Sequence, residues 1–238
     1  MSAGPKRTIA IIPARGGSKR IPRKNIRCFN GRPMLEWAVR AAQASGQFDE
    51  IMVSTEDPEI ADIAKSCGAK VPFLRSVENA DHHATTVHVL YEVLAQYSKD
   101  GRCFDLACCL YPTAAFVRGK DLSDGRAALV AGDFDVFMPL AEFDNTIWRS
   151  LRRDRDGKIS INFPDNVNLR TQDLEKAYHD AGQWYWFVVP KLNRNSNLMS
   201  LNTGSVLLSK SRVQDIDTEE DWAVAELKHR REFGKTGG

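Results

Sequence analysis

Thr8-Ile-Ala-Ile-Ile-Pro-Ala-Arg-Gly-Gly-Ser-Lys-Arg-Ile-Pro-Arg-Lys-Asn25 joins a short apolar run to a glycine-containing basic loop. The run Thr8–Ala14 is continuous rather than alternating, the pattern of a strand buried on both faces. In open α/β sheets ligands lie beyond the carboxyl ends of strands, which is where this loop begins. Gly16 and Gly17 let backbone N–H groups approach an anion closely, and Ser18 adds a hydroxyl donor. Arg15, Lys19, Arg20, Arg23, Lys24 and Arg27 place six cations within thirteen residues. Forked guanidinium donors beside mobile ammonium charges suit a triphosphate. Neither G-x-x-x-x-G-K-[ST] nor G-x-G-x-x-G is matched, so the two common phosphate-binding patterns are absent. A solvated basic loop or a nucleic-acid patch is the alternative reading.

Outward from this turn, strands alternate with helices. Met34–Ala44 carries apolar residues at helical spacing, Glu50–Ser54 reads as a strand, and Asp57–Cys67 as a helix closed by Gly68. Val71–Leu74 reads as a short strand and Thr86–Tyr97 as a helix. Asp105–Tyr111 is a second buried strand, followed by a helix over Gly119–Ala131. This rhythm predicts βαβ units and a mainly parallel sheet. After the strand Asp135–Leu140 it breaks. Residues 146–163 alternate around Asp156-Gly157, a β-hairpin signal. Regular signals resume at Ala181–Val189 and Ser205–Leu208, and a helix spans Glu219–Glu232. We expect one domain over residues 1–238 with an inserted hairpin element at about 141–180.

Composition narrows the class. The 238 residues hold 33 Lys+Arg against 31 Asp+Glu, a formal charge of +2, and 42% are apolar. Such a chain can bury a core, and its charge lacks the basic excess of a dedicated nucleic-acid binder. No run approaches the length of a membrane span, and Met1–Arg7 lacks the apolar core of a secretory signal, so a cytoplasmic protein is expected. Five cysteines, Cys28, Cys67, Cys103, Cys108 and Cys109, form no C-x-x-C pair and read as reduced, mostly buried thiols. His82-His83 reads as a solvated loop pair.

At the other end stands Arg212-Val-Gln-Asp-Ile-Asp-Thr-Glu-Glu-Asp-Trp222. Asp215 and Asp217, two apart in an extended segment, point to one face, and paired carboxylates with phosphate oxygens commonly hold Mg²⁺. The same residues have a second reading. Asp217 or Thr218 can cap the last helix, with Glu220 and Asp221 in its first turn.

Taken together these motifs resemble the acylneuraminate cytidylyltransferase family, the CMP-sugar synthetases, over Ile9 to about Leu227. Ile11–Asn25 meets the opening motif I-I-P-A-R-G-G-S-K-x-I-P-x-K-N. Leu110-Tyr-Pro-Thr113 resembles the family's L-x-P-T, and Gln214–Glu219 its metal-binding D-I-D-T-E. The stretch Ala177-Tyr-His-Asp-Ala-Gly-Gln183 with Trp184-Tyr-Trp186 is most similar to the pseudaminic acid branch. The sequence departs from the family at Ala114-Ala115, where a second proline is usual, and at His82-His83 beside Asp81.

The resemblance implies a three-layer α/β/α nucleotide-diphospho-sugar transferase (Rossmann-like) fold, with the hairpin helping a homodimer form. It also implies a reaction of CTP with a nonulosonic acid, giving a CMP-sugar and pyrophosphate. By position, Arg15, Gly16, Gly17, Ser18, Lys24 and Asn25 would hold the CTP phosphates. Arg75 and the Ala84–Thr86 turn would meet cytosine and ribose. Tyr111, Thr113, Arg170, Gln172, His179, Asp180 and Tyr185 would face the sugar. Asp215 and Asp217 would hold Mg²⁺, and Arg15, Lys24 and Asp217 would carry the chemistry. Two other classes compete: a non-catalytic nucleotide-binding module, and a nucleic-acid binder using residues 15–27. Neither membrane nor nucleic acid is expected as a partner.

Overall fold

The structure is a computed structural model and describes residues 6–80, 84–194, 197–200 and 202–234. The His82-His83 pair and Asp81 lie outside the described residues. Strand β1 (Thr8–Pro13) leads through two short paired segments, β2 (Cys28–Phe29) and β3 (Arg32–Pro33), into helix α1 (Met34–Ser45). Strand β4 (Glu50–Ser54) and helices α2 (Pro58–Ser66), α3 (Val77–Ala80) and α4 (Thr86–Lys99) follow. Then come β5 (Leu106–Leu110), α5 (Gly119–Ala131), β6 (Val136–Glu142), β7 (Leu151–Arg153) and β8 (Ile159–Ile161). The chain continues through β9 (Tyr178–Asp180), β10 (Trp184–Val188), β11 (Thr203–Leu207) and α6 (Glu219–Phe233).

Among the described residues one sheet has the order β11-β6-β10-β5-β1-β4, with β9 paired to β6. β1 runs parallel to both β4 and β5, and β11 parallel to β6. β10 is antiparallel to β5 and β6, and β9 antiparallel to β6. The sheet is therefore mixed and mostly parallel. Because β1 is followed by β4 on one side and β5 on the other, strand order reverses at β1. Its carboxyl end is the crevice where such sheets bind ligands.

Strand alternation sends neighbours to opposite layers. Ala10, Ile12, Trp184 and Trp186 pack with residues of α1, α2 and α5. Ile9, Ile11, Tyr185 and Phe187 pack with Leu90, Val93 and Tyr97 of α4. This is the three-layer arrangement expected from the sequence. A third cluster joins Ile21 of the basic loop, Phe29, Met34 and Phe116 to Ile216 and Trp222. Across that cluster α6 is clamped beneath the loop.

Two expectations are corrected. Val71–Leu74 is not a strand: Lys70 alone bridges Met52, and Pro72 cannot donate to a continued ladder. The thiols are not mostly buried, since Cys28 and Cys103 are exposed while Cys108 and Cys109 are buried. Burial pushes the Cys108 and Cys109 thiols up, so they stay protonated. The hairpin β7–β8 pairs Leu151 with Ile161 and belongs to its own two-stranded sheet. Both its strands are exposed along their whole length.

Candidate active site

Helix α6 begins at Thr218, whose hydroxyl accepts from the Asp221 N–H while the Asp221 carboxylate accepts from the Thr218 N–H at 2.8 Å. This reciprocal cap leaves the Asp217 side chain out of the capping role. Burial of Ile21 and Ile216 in one cluster then sets the basic loop against the acidic segment. The Lys24 ammonium donates to the Ile216 carbonyl at 2.6 Å and stands 3.6 Å from the Asp217 carboxylate. Arg20 meets the same carboxylate at 2.8 Å. Arg27 pairs with Glu219 at 2.6 Å and lies over the Trp222 ring.

The result is a cavity of about 700 Å³ at the carboxyl end of β1. Arg15, Gly17, Ser18, Lys24, Asn25, Arg75, Ala84, Thr86, Tyr111, Thr113 and Asp217 line it, as do Lys19, Arg20, Asn79 and Thr85. Asn25 is buried and donates to the Arg15 carbonyl at 2.9 Å, tying the two ends of the turn together. Arg75, also buried, donates from Nε to Ser54 Oγ at 3.1 Å and from Nη2 to the Ser54 carbonyl. A second cavity of about 250 Å³ shares Thr85, Thr86 and Tyr111 with the first. Val87, Asp180, Tyr185, Asn197, Leu198 and Met199 complete it. There the Tyr185 hydroxyl donates to Asp180, and the rings of Tyr111 and Tyr185 meet edge to face at 5.4 Å. Burial pushes both phenols above their ordinary value, so they act as donors and not as bases near neutrality.

Several expected site residues stand elsewhere. Gly16 does not line the cavity: its N–H donates to Glu56 Oε1 at 2.7 Å, and the Ser18 N–H to the Gly16 carbonyl at 2.9 Å. Two backbone donors of the turn are thus engaged within the protein. Arg23 turns away to Asp57 and Glu59. Asp215 is exposed and outside both cavities. His179 packs on Phe143, with Nδ1 2.9 Å from the Asp180 carbonyl, and faces neither cavity. Arg170 pairs with Asp173 at 2.7 Å, and it and Gln172 are exposed on the inserted element. Within one chain these residues are not brought together with Tyr111 and Asp180. Sequence reasoning missed Glu56, Asn79, Leu198 and Met199. Glu56 had a usable signal: it follows β4, the strand paired with β1, at the same carboxyl edge.

Among the described residues no three His, Cys, Asp or Glu side chains converge as a metal cage. A half-buried Asp217 carboxylate facing the cavity, with exposed Asp215 two residues away, fits a hard cation that takes one or two carboxylates and completes its shell with phosphate oxygens and water.

A cation-lined cavity where strand order reverses, with the Asp217 carboxylate against two of its cations, is the setting of a nucleotide-binding site in α/β proteins. Comparison with known proteins narrows this further. The chain belongs to the cytidylyltransferase family, whose model matches residues 9–188. It is 32% identical over 224 residues to a pseudaminic acid cytidylyltransferase of Campylobacter jejuni, covering 94% of this chain and 97% of the relative. It is also 32% identical to CMP-N,N'-diacetyllegionaminic acid synthase of Legionella pneumophila, covering 92% and 95%. The fold is similar to that of CMP:2-keto-3-deoxy-manno-octonic acid synthetase complexed with CTP, with a TM-score of 0.72, 15% identity, and coverage of 95% of this chain and all of that one.

Proposed function

We propose that the protein transfers CMP from CTP to a nonulosonic acid, pseudaminic acid in particular, and releases pyrophosphate. The observation that carries this reading is the joining of two cavities: one ringed by Arg15, Arg20 and Lys24 and faced by Asp217, the other walled by Asp180, Tyr185, Asn197 and apolar side chains. The first suits a triphosphate and the second a polyhydroxylated acid with acyl groups. Names of the relatives at 32% identity point to the same chemistry.

In this reading Arg15, Gly17, Ser18, Lys24 and Asn25 bind the phosphates, while Arg75, Ala84 and Thr86 bind the nucleoside. Gly16 acts beneath the turn. A sugar hydroxyl attacks the α-phosphorus in line, forming a phosphorus–oxygen bond as the bond to pyrophosphate breaks. The hydroxyl proton passes to water or to a nearby carboxylate. Arg15 and Lys24 stabilise charge on the departing pyrophosphate, and positioning supplies much of the acceleration. Asp217, with Asp215, would hold Mg²⁺, which when bound neutralises phosphate charge and lowers the pKa of a coordinated hydroxyl. Tyr111, Thr113, Asp180 and Tyr185 orient the sugar. Arg170, Gln172 and His179 join the sugar site from the inserted element at 141–180, through which two copies of this single-domain chain pair. The enzyme works in the cytoplasm on small molecules.

The test is pyrophosphate release from CTP and Mg²⁺ with a panel of nonulosonic acids. Pseudaminic acid is expected to give the highest kcat/KM, and EDTA to abolish turnover. Asp217→Ala, folded by circular dichroism, should lose at least about a hundredfold in kcat, the scale of removing one electrostatic stabiliser. No release with any acid, or full turnover by the variant, overturns the reading; preference for a legionaminic or sialic acid changes its sugar alone.

A further inference from the structure

Glu56 joins two parts of the nucleotide cavity without lining it. It follows Thr55 just beyond β4, whose last residue pairs with Pro13 of β1. Its Oε1 accepts the Gly16 N–H at 2.7 Å. Its Oε2 is buried without a hydrogen bond and stands 3.9 Å from Nη1 of Arg75. Arg75 is only 8% exposed, yet it faces the cavity. Burial works against its charge, and Glu56 is the strongest of the neighbouring charges that support it. One carboxylate thus fixes the first glycine of the basic turn and provides the counter-charge for a buried guanidinium.

We propose that Glu56 is a positioning residue for the nucleotide, which presets both the Arg15–Ser18 turn and Arg75 before CTP arrives. The proposal rests on the CTP reading of the site. Presetting removes ordering that the ligand would otherwise have to offset, so it acts on affinity. A competing electrostatic effect has the opposite sign. A carboxylate behind a triphosphate site repels the ligand, so a Glu56 that contributed only its charge would weaken CTP binding, and its removal would strengthen it.

The sign of the change therefore decides. Glu56→Gln keeps an acceptor for Gly16 but removes the counter-charge; Glu56→Ala removes both. The measurements are kcat and both KM values for wild type and each variant, CTP affinity by calorimetry without sugar acid, and melting temperature. Expected is a KM for CTP raised about tenfold in Glu56→Gln, which loses a close counter-charge, and more in Glu56→Ala, which also loses a hydrogen bond to a charged acceptor. The sugar-acid KM should stay within about twofold. An unchanged or lower KM for CTP in Glu56→Gln overturns the proposal. So does a parallel rise in both KM values with a lower melting temperature, which marks a merely structural role. Should Glu56→Ala fail to fold, the isosteric Glu56→Gln decides alone. Absence of wild-type turnover would instead overturn the CTP reading itself.

Discussion

Gly16 shows how a residue can be read correctly as special and still for the wrong reason. The sequence reading gave its missing side chain to the approach of a phosphate. In the fold a Cβ at this position would lie 2.5 Å from Asp57 Oδ2, so the space is needed by the protein itself. Asp57 yields only at a cost, because it caps α2 by accepting from the Ile60 N–H and also binds Arg23. Its Arg23 partner holds the Asp57 carboxyl below the usual carboxylate range. Gly16→Ala is therefore expected to displace Asp57 and cost about 1–2 kcal/mol, the value of a lost cap. Chemical denaturation would measure it, and an unchanged midpoint would refute the crowding. Asp217 was legible for the opposite reason. Its spacing from Asp215 and its place before a cap left two roles open, and the Thr218–Asp221 cap removes the capping one. Nothing in local sequence could reveal Glu56 as the partner of Gly16, since that contact exists only once β4 lies beside β1.

At the level of elements, the strand–helix rhythm was readable because each apolar run is either continuous or helically spaced. Gly119–Ala131 and Glu50–Ser54 fall where the pattern puts them. The antiparallel insertion of β10 between β5 and β6 was not readable, because Trp184–Val188 is apolar throughout and carries no sign of direction. Thr218→Ala should remove the reciprocal cap that starts α6, lowering stability by about 1 kcal/mol. It should also lower kcat, because the Asp221 carboxylate that the Thr218 hydroxyl holds also accepts from the Asp217 N–H at 3.1 Å. Equal kcat in the variant and wild type would argue against that coupling. The hairpin leads to a different expectation. Leu151, Ile159, Ile161 and Phe163 are 37–60% exposed on the inserted element, a cluster of apolar side chains of the kind that marks an interaction surface, which here would serve the proposed homodimer. Ile161→Asp should shift the protein to monomer in sedimentation; a monomeric wild type would show that the hairpin has no such partner.

Over the whole molecule, the near-balance of charge conceals a separation that the fold closes: Arg20, Lys24 and Arg27 meet Asp217 and Glu219 from nearly two hundred residues away. Behind them His229 of α6 is 1% exposed, with ring centroids of Trp37, Phe233, Phe29 and Phe116 at 4.4–5.8 Å. Burial pushes its imidazole from 6.5 down to about 4. The unfolded chain then binds a proton that the folded chain refuses. Stability from this group is full above about pH 6.5 and falls as pH drops toward 4, by about 3 kcal/mol in all. His229→Gln should flatten that slope between pH 7 and 5 in denaturant titrations; an unchanged slope would assign acid sensitivity to other groups. The packing of Ile21 against Ile216 has a consequence for synthesis. Asp217 follows the basic turn by nearly two hundred residues, so a nascent chain that has already built β1, β4 and β5 still lacks the carboxylate that faces the cavity. That carboxylate meets Arg20 and Lys24 only when the segment before α6 leaves the ribosome and docks. With Asp217 in the role proposed for it, turnover becomes a proofreading signal: it reports that this late segment has been delivered intact.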